Sequence, residues 1–349
     1  MTLKLADTSG SWVYIMPVSG MALTAAVHEE YQVDRVTFVT VRRLARVRRR
    51  LGLPKRLSEM KALHALAAFL GDPLQVVAVV RHQGKPSDLD ARIVRMVTEA
   101  LQILSVSQLG YAKRRLNAFP AVDGPHRTRQ HHLCVNAQDG AAIGSSQLRG
   151  KLGELTLDSG WVKYQKRVFF SQLMSILQRD QAVSRSWKQT LRRVAVLVGQ
   201  SQTSSDLAHA FLLNMIAIEA LLTVQGDKYS DALPERVEAL IGWIGFWRTS
   251  DYENRIRAAY KARCRYVHEG DASAVTVADL LFLDDIVLNL LVNIVGHPAL
   301  FTSKEDVIAF SSRVSAERVL GITGRNAKVR PKTLRHVARS YSDQDLRRI

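Results

Sequence analysis

Residues 206–224 read DLAHAFLLNMIAIEALLTV, apolar on nearly every side. A helix that is hydrophobic all round is enclosed by protein rather than laid on a surface, so this stretch predicts a bundle built around it. Helical periodicity continues on both sides, with candidate helices at 163–178, 185–199, 205–225, 233–248, 251–268, 276–296 and 304–320. Beyond about residue 160 the chain therefore reads as an all-α domain. The longest apolar stretches, around Phe211–Leu222 and Ile286–Val295, fall short of the roughly 20 residues of a membrane span. Asn214, Glu219, Asn289 and Asn293 interrupt them, so no membrane partner is expected.

Upstream the pattern changes. Trp12–Val18, Asp34–Val41 and Gln75–Arg81 are short runs rich in Val, Ile, Phe and Tyr, bounded by Gly, Pro or Asp, and predict strands. Leu57–Leu70 carries helical spacing and ends at Gly71 and Pro73. Ser87 reads as an N-cap before a helix whose face is Leu89, Ile93, Val97, Ala100, Leu101 and Leu104. The expected fold class is α+β: a mixed N-terminal domain over 1–125, an irregular connection over 126–160, a helical domain over 161–320 and a basic tail over 321–349 that extends beyond the core.

Within the apolar helix lies Glu219. Desolvating an unpaired carboxylate costs several kcal/mol or more, so Glu219 is expected to face a cation, either as a structural ion pair or as part of a site. The nearest supply of cations is the segment IRAAYKARCRYVHEGD, residues 256–271. Arg263 and His268 are five residues apart, which on a straight helix leaves them about 140° apart. They meet on one ligand only if the helix ends between them or two chains face each other. Gly270 is placed for a left-handed C-cap, and a His at such a position has a plain role against the helix dipole.

The run from Tyr260 to Gly270 resembles the Arg, four residues, His motif of the HEPN superfamily, and of its Apea-like branch in particular. Upstream, Ala217-Ile218-Glu219-Ala220-Leu221-Leu222 and the segment from Leu233 to Leu240 resemble two further motifs of that branch in the same order. The likeness covers about residues 165–300. Many members carry Asn, Asp, Ser or His directly after the motif Arg, whereas here the position is Cys264.

The resemblance implies a helical bundle that dimerises, so that motifs of two chains flank one cleft, and metal-independent cleavage of RNA such as tRNA or mRNA. Under it the catalytic set is Arg263, His268 and Glu219, with no cofactor and no metal. It also implies the setting of a toxin or antiphage effector, with an antitoxin or a phage-derived activator as partner. The residue types suit the chemistry. An imidazole exchanges protons near neutral pH and can take the proton of a 2′-hydroxyl, and a guanidinium donating two hydrogen bonds stabilises the extra charge of the phosphorane. Glu219 would orient Arg263 from behind. The alternative is a catalytically inactive HEPN scaffold that binds nucleic acid or a protein.

Charge points toward a polyanion. The chain of 349 residues has 49 Lys+Arg against 32 Asp+Glu, a formal net charge of +17. Eight of the positive charges fall in the fifteen residues 42–56 without one acid. Arg42, Arg43, Arg46, Arg49 and Arg50 there read as an RNA-binding face of a basic amphipathic helix whose apolar side is Leu44, Val47 and Leu51. Arg265 is either a further phosphate contact or an exposed surface charge. From Arg313 to the last residue the chain adds ten Lys/Arg against three acids. His131, His132 and Cys134 are close together but lack the second half of a zinc site and read as a polar loop. There is no Gly-x-x-x-x-Gly-Lys-Ser/Thr or Gly-x-Ser-x-Gly run, which argues against a P-loop hydrolase or an α/β-hydrolase. Two cysteines and the absence of a secretory leader pattern predict a cytoplasmic protein.

Overall fold

The computed structural model describes residues 10–53, 72–84, 90–114, 121–122, 129–135, 142–148, 155–178, 183–244, 247–322 and 326–346. The fold is α+β, with two compact units: Met1–Leu104 with Asn117–Val162, and Ser105–Leu116 with Lys163–Ile349.

The first unit is built on a five-stranded sheet in the order β3-β4-β5-β1-β6, formed by β1 (Gly10–Ser19), β3 (Glu30–Val33), β4 (Val36–Thr40), β5 (Val76–Gly84) and β6 (Ala121–Val122). The long antiparallel pair β1 and β5 runs from Gly10↔Gly84 to Val18↔Val76, and β4 lies on the other side of β5 from Val36↔Val80 to Thr40↔Val76. The helix α1 (Val41–Val47) starts on the Thr40 cap. It packs Val41 and Leu44 with Leu51, Val39, Val77 and Val79 into a core. The helix α2 (Asp90–Ser105) buries Ile93, Val97, Ala100, Leu101 and Leu104, the face expected from periodicity. The predicted helix 57–70 and the Ser87 cap lie outside the described residues.

Between 126 and 160, where an irregular connection was expected, the structure has strands: a hairpin of β7 (Arg129–Val135) and β8 (Ala142–Leu148), and β9 (Leu155–Leu157), which pairs in parallel with β2 (Met21–Leu23). His131, His132 and Cys134 are thus strand residues, opposite Ser146, Ser145 and Ile143. Such short segments, rich in His, Gln, Ser and Gly, carry little hydrophobic alternation, and alternation is the signal that marks a strand.

The second unit holds α3 (Ser159–Arg167, from its Lys163 onward), α4 (Phe170–Gln178), α5 (Arg185–Thr203), α6 (Leu207–Leu222), α7 (Tyr229–Ile241), α8 (Tyr252–Glu269), α9 (Val277–Gly296), α10 (Lys304–Val319) and the short α11 (Asp343–Leu346). The helix α6 touches α5, α7, α8, α9 and α10, which is why it is apolar all round. Several boundaries differ from expectation: the helix read over 233–248 ends at Ile241, and the one read over 185–199 continues to Thr203. The single helix read over 163–178 is split between α3 and α4. The helix α7 begins at Tyr229 rather than near Leu233, with Pro234 inside it. Proline supplies no N–H to the carbonyl four residues back, here that of Ser230, and Arg257 Nη1 donates to that oxygen at 2.7 Å instead.

At the centre of this unit Asp284 of α9 is fully buried. Arg114 donates to it from Nε and Nη2, both at 2.7 Å, and Gln202 and Asn214 donate at 2.9 and 2.8 Å. Arg114 also donates to the Ser201 carbonyl at 2.6 Å and to its hydroxyl at 2.9 Å. Burial alone would raise the Asp284 pKa, but Arg114, with Arg339 and Asn214, outweighs it and holds the carboxyl below its ordinary value.

The basic segment after residue 321 is not an extension beyond the core: residues 326–346 pack on the helical unit. Asn289, Asn293 and His297 follow one another at four-residue steps on α9, about 6 Å each. They bind the chain at Val337, Arg335 and Thr333, whose two-residue steps in an extended chain span about 6.6 Å. Asn289 accepts from Val337 N–H at 2.7 Å, Asn293 accepts from Arg335 N–H at 2.9 Å and donates to its carbonyl at 3.0 Å, and His297 Nε2 bonds Thr333 Oγ1 at 2.9 Å. Arg330 donates to the carbonyls of Glu238 and Ala239 in the last turn of α7, both at 3.0 Å. The matched spacing explains why polar side chains occupy an otherwise apolar helix.

Replacing Asp284 by Ala should strand the Arg114 charge and cost about 3–5 kcal/mol. Asn293→Ala should cost about 1–3 kcal/mol and open residues 326–346 to protease. Denaturant titration and limited proteolysis read both outcomes, and unchanged proteolysis would show that the asparagines do not hold this strap.

Candidate functional site

The helix α8 is preceded by Asp251 in a left-handed conformation and closes on Gly270, which has φ of 71° and donates its N–H to the Tyr266 carbonyl at 3.1 Å. The helix is thus continuous through both Arg263 and His268. It does not end between them, so their about 140° separation is kept within one chain.

Arg263 faces α6. Its Nη2 donates to Glu219 Oε2 at 3.0 Å, and its Nε lies 3.0 Å from Oε1 as a charge contact that is not aligned as a hydrogen bond, so one charge-assisted hydrogen bond and one ion contact hold the guanidinium. Glu219 is 8% exposed and the Arg263 side chain 21%, so the carboxylate is the buried partner and the guanidinium its route to solvent. Burial raises the Glu219 pKa, and the charge and hydrogen bond of Arg263 offset only part of that rise. Tyr260, one turn before Arg263, stacks at a tilt on Tyr229 with centroids 6.1 Å apart. Its phenol is pushed up by burial and by a hydrogen bond with Cys264.

His268 is exposed in the last turn of α8, and among the described residues no hydrogen bond or ion pair orients its ring. Val267 beside it is 48% exposed. The structure therefore brings Glu219 and Arg263 together and leaves His268 apart from them on the same helix. Arg265 pairs with Asp271, which follows the capping Gly270.

In the first unit, residues 42–53 of the basic run form the rest of the seven-residue α1 and a following turn, and the acids that the run itself lacks come from Glu29 and from Glu30 at the start of β3. Arg42 pairs with Glu29, and Arg43 and Arg50 with Glu30. Among the described residues Arg46 and Arg49 close no ion pair, and both are exposed. Among the same residues no group of three or more His, Cys, Asp or Glu side chains is placed to hold a metal ion, and no helix is long and apolar enough to cross a membrane.

Sequence reasoning passed over Asp284, although the argument applied to Glu219 applies to it unchanged: an acid within an apolar helix needs a partner. Its partner Arg114 lies 170 positions away, a separation no local pattern shows. Comparison of the chain with protein-family models, with curated proteins and with solved structures finds no significant match.

The raised Glu219 pKa means that the folded state binds this proton more tightly than the unfolded state. Stability from this group is present in acid and declines as pH rises through the raised value. A Glu219→Gln variant should therefore lose less stability than the parent between acid and neutral pH. Denaturant midpoints measured across that range check it, and parallel pH profiles would contradict it.

Proposed function

We propose that the helical unit is a metal-independent endoribonuclease of the HEPN kind, acting as a homodimer in which Arg263 of one copy and His268 of the other flank the scissile phosphate. The observation that carries this reading is the grip of buried Glu219 on Arg263, within a helix that stays regular through His268. One face of the guanidinium is fixed from behind, its exposed part can meet an anion, and the imidazole it needs cannot come from the same turn of the same chain.

In this reading the ring of His268 takes the proton of the RNA 2′-hydroxyl, the 2′-oxygen attacks the adjacent phosphorus, and the P–O bond to the 5′-oxygen breaks. The leaving oxygen takes up a proton, giving a 2′,3′-cyclic phosphate and a 5′-hydroxyl. Arg263 donates to the non-bridging oxygens as charge builds on them, where fixed donors are worth most. Among the described residues of the basic run, Arg46 and Arg49 are exposed and close no ion pair and can face a phosphate backbone, whereas Arg42, Arg43 and Arg50 are engaged with Glu29 and Glu30. Placement in a toxin or antiphage system, with an antitoxin or phage-derived activator, rests on the resemblance.

A second reading, an inactive scaffold that binds RNA or a protein, is favoured by Cys264. Its position holds a polar side chain in many HEPN members, and here its thiol is engaged by Tyr260.

Purified protein incubated with tRNA or total RNA in EDTA should produce 2′,3′-cyclic phosphate ends. His268→Ala and Arg263→Ala should each lower the rate at least about 100-fold while circular dichroism stays unchanged. Salt-sensitive RNA binding without product would select the scaffold, and cleavage by both variants would remove the proposed site.

A further inference from the structure

Helices α7 and α10 pack on one another and end side by side: Arg318 in the last turn of α10 pairs with Glu238 in the last turn of α7. The chain leaves α10 through a tight turn. Gly321, at φ of 70°, donates its N–H to the Arg318 carbonyl at 3.0 Å, and Ile322 donates to that of Glu317 at 2.9 Å. These two bonds form a Schellman motif, which fixes a helix end. The fixed end carries Val319 and Leu320, 79% and 73% exposed and the two most exposed large apolar side chains among the described residues. At the same end of the helix pair, just past α7, Trp243 is 38% exposed with Arg330 over its ring at 5.9 Å from the centroid.

Apolar side chains held out in water by an ordered turn call for a partner, and the charge around them gives its sign. Residues 313–332 contain six Lys/Arg against Glu317 alone. The acids at this end are already engaged: Glu238 with Arg318, and Glu317 through Oε1 with the N–H groups of Lys328 and Val329 at 2.8 and 3.1 Å. Arg313 and Lys328 are exposed and, among the described residues, close no ion pair, while Arg330 is held by carbonyls and a ring. A second copy would set like charge against like charge, and an RNA strand offers phosphates but nothing for two aliphatic tips. A protein groove would have to enclose side chains that stand clear of their own neighbours. A bilayer closes around a protruding apolar tip of any shape, and its anionic headgroups meet the cations. A Trp at the boundary between the two matches the headgroup level.

We infer that this corner of the helical unit is a peripheral docking site for an anionic lipid bilayer, with Val319 and Leu320 inserted below the headgroups, Trp243 at the interface, and Arg313, Lys328 and Arg330 against the lipid phosphates. A contact of this kind needs no spanning helix, so the shortness of the apolar stretches does not bear on it. It does not rest on the nuclease reading.

Sedimentation of the full chain with vesicles of phosphatidylcholine, alone or with about one third phosphatidylglycerol, tests this. The parent should bind the anionic vesicles at least about ten-fold more tightly than the neutral ones. Val319→Ser combined with Leu320→Ser keeps the charge and touches only exposed positions. It should weaken that binding at least about ten-fold with an unchanged thermal midpoint. Brominated lipid in the anionic vesicles should quench the parent's tryptophan emission, and Trp243→Phe should remove most of that quenching. Equal binding by the parent and the double variant would overturn the assignment by reducing the contact to net charge. Absence of binding to anionic vesicles, or quenching that survives Trp243→Phe, would overturn it as well. Self-association of the parent that the double variant abolishes, without vesicle binding, would give the face to a second copy and overturn it too.

Discussion

A single carboxylate organises the helical unit. Asp284 has no access to water, and a charge so placed persists only where several donors converge on it. Here they come from Arg114, from Gln202 at the end of α5 and from Asn214 in α6, while Arg339 of the strap stands 3.6 Å away. Segments far apart in sequence are thereby held in one register around α9. The strap is then fastened along the same helix by Asn289, Asn293 and His297, and α6 is enclosed by five helices. That enclosure buries Glu219, and a buried Glu219 is what holds Arg263.

Two kinds of geometry on α8 support the proposed function. The Glu219–Arg263 pair is an ion pair of unequal burial, with a carboxylate shielded from water and a guanidinium that still reaches it. Such a pair presents a cation in a fixed orientation and does not neutralise it by closing it off. The second geometry is angular. An unbroken helix separates Arg263 from His268 by more than a third of a turn, so a reaction needing both must draw one from another chain, and the exposed Val267 lies beside the residue that would have to cross.

Much of this was legible from the residues. The all-round apolarity of 206–224 located the central helix, and an acid inside it required a cation that Arg263 supplies. The Gly270 cap and the helical face from Ile93 to Leu104 were read from local chemistry that tertiary packing did not override. What escaped the reading was non-local. The hairpin strands 129–135 and 142–148 are rich in His, Gln, Ser and Gly and carry little hydrophobic alternation, and the three residues of β9 are too few to show a period. The charge of the last segment suggested a solvated tail, yet Arg330, Arg335 and Arg339 are used for carbonyls, rings and a buried acid. Glu29 and Glu30 reach the basic run across a strand and its turn, so counting charges within 42–56 overstated what is available to a phosphate backbone.

The claim that one site draws on two chains is tested most directly by mixing inactive variants. Arg263→Ala and His268→Ala proteins, unfolded and refolded together, form mixed dimers in about half of all pairings, each with one of two sites intact if the residues meet across a two-fold axis. The mixture should regain about a quarter of the parent's RNA cleavage, with each variant refolded alone remaining inactive. A mixture as inactive as its components, from a sample shown by size to be dimeric, would contradict the shared site.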